Sequence, residues 1–296
     1  MSLEPRFGLF MSQANKPWSQ VHDEFALADE LGFDHAWLVD HLVDTDGPPE
    51  HGCLEAWTLL GALAAGTRRI RLGVLVSSNT FRSPSLLAKE AVTVDHVSGG
   101  RLILGIGTGW HADEHRRYGF DLPEPVERVD RLEEAVQILV RLQEEPRVTF
   151  HGAHYRVDDA VFEPRPVQRP RIPLLIAAHR PRMIRLAARY ADQWDTFPEL
   201  PGAATEGVTT TLEERVAQFE AGCTAAGRDP GSVRRSVWAP PVAVASQAAY
   251  LDFARRHLAM GFTDVSVVPA GVPAERLRDI ARNVLPVLRA EFAPGS

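Results

Sequence analysis

The chain has 296 residues, 45% hydrophobic and 24% charged, which is enough apolar material for a large core and excludes a disordered body. Its net charge is −7 with no basic run, so it lacks the concentrated cationic face that nucleic-acid binding needs. The two cysteines, Cys53 and Cys223, lie far apart, which excludes a disulfide framework and a four-thiolate zinc site.

Met1 to Arg6 lead straight into an apolar run without the basic and apolar regions of a secretory signal, so a cytoplasmic protein is expected. The longest apolar stretches, such as Leu59 to Ala65, fall far short of the roughly 20 residues of a membrane helix, and no membrane partner is expected. Short β-branched or apolar runs then alternate with longer amphipathic ones, the pattern of parallel βα units. Strands are predicted at about 6–11, 34–39, 70–77, 101–106, 172–177, 192–197, 234–239 and 264–268.

The first helix is predicted from Gln20 to Leu31, with Gly32 in the left-handed position past its end. A second opens at Ser83-Pro84, a cap followed by a first-turn proline, and stops before Gly99-Gly100. Another spans Glu127 to Leu142, where Val129, Leu132, Val136, Leu139 and Val140 recur at helical spacing. Residues 146–170 break the alternation: Val148-Thr149-Phe150 and Tyr155-Arg156-Val157 flank a hairpin turn, and four prolines stiffen the return. Residues 198–210 read as a polar surface loop. The expected fold is α/β: one (β/α)8 TIM barrel over residues 1–296 with a hairpin insertion at 146–170.

Such barrels build their sites at the carboxyl ends of the strands. That rule selects Asp40 and His41 after the second strand and Ser77, Ser78 and Asn79 after the third. It also selects Gly105 to His111 after the fourth, and Ala177, Ala178, His179 and Arg180 after the fifth. The glycines of Gly107-Thr108-Gly109 let backbone amides approach an anion, although a tight turn explains them too. Asp40-His41 reads as an acid/base pair or as a capping Asp beside an exposed His. His111 and His115 stand four apart, but Ala112 replaces the Glu of a zinc protease motif and no third ligand is evident. That segment is expected to be a solvated loop, and no metal is expected. No Gly-x-Ser-x-Gly elbow occurs, which argues against a serine hydrolase. Trp110 follows the glycine turn directly and is expected to wall a pocket.

Several segments in register resemble the bacterial luciferase-like (LLM class) oxidoreductases. They are Arg6 to Phe10, Ala28 to Asp34 leading to Trp37-Leu38-Val39-Asp40-His41, Ile70 to Leu104, Glu127-Arg128-Val129, Pro164 to Gln168 and Leu186 to Asp192. The resemblance is strong over 6–197 and weak beyond. Asp-His after the second strand is similar to the branch that uses coenzyme F420, a deazaflavin. The resemblance implies that Asp40 and His41 face the deazaflavin ring. It also implies that Leu75 and Val76 form a non-proline cis peptide behind the ring, beside Ser77, and that Gly107, Thr108 and Gly109 form the phosphate-side turn. Relatives carry glycines where this chain has Ala178-His179-Arg180, so that contact departs from the pattern, and Arg180 would add a charged bond. A sugar-phosphate dehydrogenase of the family has a carboxylate at the place of Trp110, so its proton-transfer arrangement does not carry over.

The expected activity is hydride transfer between the deazaflavin and a small organic substrate, with His41 moving the proton, Asp40 tuning it and Trp110 excluding water. An FMN-dependent monooxygenase on the same fold is the alternative. A non-catalytic flavin- or deazaflavin-binding barrel is the second. Relatives are often dimers, which makes a homodimer an expectation.

Overall fold

The computed structural model describes residues 3–48, 50–198 and 208–293; most of the loop expected at 198–210 lies outside them. In chain order the strands are β1 (Arg6–Phe10), β2 (His35–Leu38), β3 (Arg71–Val74), β4 (Ser77–Ser78), β5 (Leu102–Gly107), β6 (Val148–His151), β7 (Arg156–Ala160), β8 (Leu174–Ala177), β9 (Gln193–Thr196), β10 (Arg234–Ala239) and β11 (Asp264–Val267). The parallel ring runs β1-β2-β3-β5-β8-β9-β10-β11, and β11 pairs with β1 to close it. This is the expected (β/α)8 barrel, with β6 and β7 as an antiparallel hairpin inside the expected insertion.

The third stave differs from its prediction. One strand was expected over 70–77, but β3 ends at Val74, the Leu75–Val76 peptide is cis, and pairing with β5 resumes at β4. The helices are α1 (Trp18–Leu31), α2 (Ala56–Gly66), α3 (Pro84–Ser98), α4 (Ala112–Tyr118), α5 (Pro125–Glu144), α6 (Pro181–Tyr190), α7 (Leu212–Ala225), α8 (Gln247–Ala259), α9 (Ala274–Asn283) and α10 (Leu285–Glu291). The cap chemistry is as read: Gly32 ends α1 at φ 78°, and Ser83 Oγ accepts from Leu86 N at 3.3 Å at the start of α3. None of the described helices is long and apolar enough to cross a membrane.

Alternation along each strand creates two packing layers. Phe7 and Leu9 face the helices and join the main core. Trp37, Leu75, Ile103 and Leu175 form a second cluster, against which Phe10 and Val76 pack. Glycine makes room for a large ring in the barrel: a Cβ on Gly8 would lie 2.1 Å from His35 Cδ2. The tips above this layer carry the site.

Candidate active site

A cavity of about 580 Å³ opens at the carboxyl ends of the strands, within the usual size of a cofactor site. Asp40, His41, Leu75, Val76, Gly107, Thr108, Gly109, Trp110 and His179 all line it. Phe10, Phe81, Phe197 and Trp238 add aromatic wall. Six residues singled out from sequence do not line it: Ser77, Asn79, Gly105, Ile106, Ala178 and Arg180. Ser77 turns its hydroxyl under Trp57, accepting from the indole Nε1 at 3.2 Å, and Ser78 takes its place in the wall. Ala178 is fully buried, with its N–H on Asp195 O and its carbonyl on Trp194 Nε1. Arg180 is the exposed cap residue of α6.

The expected tuning of His41 by Asp40 is corrected by the structure. Asp40 accepts from Arg82 Nη1 at 2.6 Å and Nη2 at 3.2 Å, and from Ser78 N at 2.7 Å. It ties the tip of β2 to that of β4. The partner of His41 is Glu114, whose Oε2 lies 2.9 Å from the imidazole Nδ1. Glu114 also accepts from the amides of Leu42 and Val43. Burial alone would raise its pKa, but the bonds from His41 and Leu42 N outweigh it and hold the carboxyl below its ordinary value.

The segment 111–115 is not a solvated loop. It opens α4, with His111 as its cap, accepting from Glu114 N at 3.1 Å. His115 is buried, with Nδ1 2.7 Å from His111 O and Nε2 2.7 Å from Thr80 Oγ1. Because the carbonyl only accepts, His115 Nδ1 carries hydrogen and Nε2 accepts from Thr80 when the ring is neutral. Thr80 is in turn 2.7 Å from Ser78 Oγ. Both histidines are committed to hydrogen bonds within the chain.

Trp110 is 62% exposed and meets His41 edge-on, centroids 5.6 Å apart at 84°. His179 packs on Phe197 and lies 3.1 Å from Thr196 Oγ1. Burial, then the charges of Arg215 and Arg180, lower its pKa to about 3, so it stands neutral in the wall.

The glycine turn has a cationic backing that the residue-by-residue reading missed. Arg128, in the first turns of α5, donates Nη1–H to the carbonyl of Gly109. Among the described residues its Nε is buried without a partner, and its pKa is lowered by burial and, among charges, by the neighbouring Arg180. A buried guanidinium N–H with no acceptor, beside a glycine turn, fits the anionic tail of a phosphorylated cofactor.

The closed parallel ring and its aromatic-walled hollow define a (β/α)8 barrel with a ligand site at its strand tips. A model of the family described as luciferase-like monooxygenase matches residues 2–284, and the chain belongs to that family. An F420-dependent glucose-6-phosphate dehydrogenase of Microbacterium testaceum is 36% identical over 216 residues, 72% of this chain and 63% of that one. The pyrimidine monooxygenase RutA of Allorhizobium ampelinum is 29% identical over 245 residues, 81% of this chain and 64% of that one. These alignments therefore span a little over three fifths of the curated relatives. A solved F420-dependent secondary alcohol dehydrogenase, in complex with an F420-acetone adduct, superposes with a TM-score of 0.81 at 19% identity, over 97% of this chain and 99% of that one. At that identity the likeness shows the fold.

Proposed function

We propose that this chain, acting as one unit over residues 1–296, is an F420-dependent oxidoreductase of small organic substrates. The observation that carries the reading is the gathering of His41 with its Glu114 partner and the Arg128-backed Gly107–Gly109 turn around one aromatic-walled hollow. Relatives named for F420 support it. When bound, the deazaflavin supplies or accepts the hydride; the chain's part is the accompanying proton.

Glu114 fixes that part. With its carboxylate on Nδ1, hydrogen sits on Nδ1 of neutral His41, and Nε2 is left as the proton acceptor. In the oxidation direction Nε2 takes the substrate hydroxyl proton, and the resulting imidazolium is stabilised by Glu114. In reduction the same atom returns the proton to the nascent alkoxide. Trp110 covers the imidazole edge and narrows the mouth against water. Val76 and Leu75 supply an apolar wall for a flat ring. The Gly107–Gly109 amides hold the phosphorylated tail, with the Arg128 guanidinium behind the turn as its cationic backing.

The match to a pyrimidine monooxygenase keeps FMN as a second reading. Absorbance titrations of the purified protein with F420 and with FMN separate the two. Saturable F420 binding, followed by substrate-dependent loss of its oxidised band across an alcohol and enone panel, is expected. FMN binding with oxygen consumption, and no F420 binding, would replace this reading. F420 binding without any reaction would leave a binding barrel.

A further inference from the structure

Asp195, on the tip of β9, lines the same hollow beside Ala177 and Phe197. It is 4% exposed. Oδ1 lies 2.7 Å from Ser236 Oγ on β10. Among the described residues Asp195 has no ion pair, and its Oδ2 has no hydrogen-bond partner. No Lys or Arg is among the described residues lining the hollow, whereas Asp40, Asp46 and Glu114 add further carboxyl groups. A carboxylate placed there without a cation is strongly disfavoured; a carboxylic acid is not.

We propose that Asp195 carries a proton and donates it in a hydrogen bond to an uncharged carbonyl oxygen of the bound ligand, on the cofactor ring or on the substrate. The proposal rests on the reading of this hollow as a cofactor-and-substrate site and narrows its ligand chemistry to neutral groups at this wall. A ligand carboxylate or phosphate beside Asp195 would be held by no cation and would meet like charge as soon as the acid ionised. A ketone or ring carbonyl accepts the acid O–H and satisfies it. Burial raises the pKa of Asp195 to about 7, against the lowering bond from Ser236 and with a small further rise from Asp264 on β11. The acid form is therefore available at working pH.

The test is infrared difference spectroscopy at about pH 6, comparing the wild type with Asp195→Asn. A carboxylic C=O band present in the wild type and absent from the variant is expected. It should shift when F420 or cyclohex-2-enone is added, and the two additions, made separately, tell ring from substrate. Cyclohexanecarboxylate should bind worse than the enone. Asp195→Leu should weaken the responding ligand by about tenfold, whereas Asp195→Asn, which keeps a donor, should stay within about threefold. Absence of the band, or a band that neither ligand moves, overturns the proposal. F420 failing to bind the wild type sinks the cofactor reading alone, because the band and the enone arm are measured on the protein as purified.

Discussion

The imidazole Nδ1 of His41 and the carboxylate Oε2 of Glu114 lie 2.9 Å apart, and the Glu114 side chain is fully buried. One carboxylate thus holds the ring of His41 and the two amides that follow it, so ring orientation and loop path are set together. Glu114→Gln should lower kcat by about 10- to 100-fold with little change in F420 affinity, because the neutral amide stabilises the imidazolium less. Glu114→Ala should in addition cost about 2–3 kcal/mol of stability by stranding buried donors. An unchanged kcat in Glu114→Gln would remove the pair from the mechanism.

That pairing shows where sequence reasoning stops. The barrel was legible because strand alternation, Gly32 and Ser83-Pro84 are local signals with local causes. The hollow was legible because strand tips converge in any such barrel, which located Asp40, His41 and Gly107 to Trp110. Which side chain bonds which was not. Asp40 adjoins His41 in sequence, yet Arg82 claims it from 42 residues away. Glu114 is 73 residues from His41 and sits in a segment whose His-x3-His spacing drew attention to metal instead. Ser77 and Ser78 look alike in sequence, and only the break in the third stave decides which one faces the hollow.

The glycine turn yields a graded prediction. Gly99 and Gly109 both have positive φ, 65° and 77°, but a Cβ on Gly99 meets nothing within 4 Å. On Gly109 it would lie 2.6 Å from both Ser78 Oγ and Thr80 Oγ1. Gly99→Ala should cost about 1 kcal/mol in chemical denaturation and leave F420 binding unchanged. Gly109→Ala should cost more and also weaken F420 binding, because it parts the Ser78–Thr80–His115 chain. Equal costs for the two would mean that the turn is set by φ alone.

Buried titratable groups give opposite pH signatures. Burial lowers His179 to about 3 and His35 to about 4. Below about pH 6.5 the unfolded chain binds protons that these folded rings refuse, so stability falls with acid by up to about 1.4 kcal/mol per pH unit for each. Asp195 has the opposite sign: its folded pKa is raised, so the folded chain takes up a proton as pH falls below about 7 and gains stability. In melting curves between about pH 7 and 5, His179→Asn should be less acid-sensitive than the wild type and Asp195→Asn more so. The same slope in all three proteins would show that neither group titrates differently on folding.

Arg128 offers the sharpest separation of binding from chemistry. It stands behind the glycine turn, with one N–H on Gly109 O and Nε buried without an acceptor among the described residues, while His41 belongs to the Glu114 cluster. Anchoring a phosphorylated tail should affect how much cofactor is bound, not the rate once it is bound. Arg128→Ala should therefore raise the F420 dissociation constant by about tenfold or more and make binding less dependent on salt, since one charge-assisted contact is gone. Arg128→Lys should recover only part, because an ammonium lacks the planar fork that reaches carbonyl and phosphate together. At saturating F420 the turnover of both variants should match the wild type. A fall in turnover at saturation, with affinity unchanged, would place Arg128 in the chemistry and move the tail elsewhere.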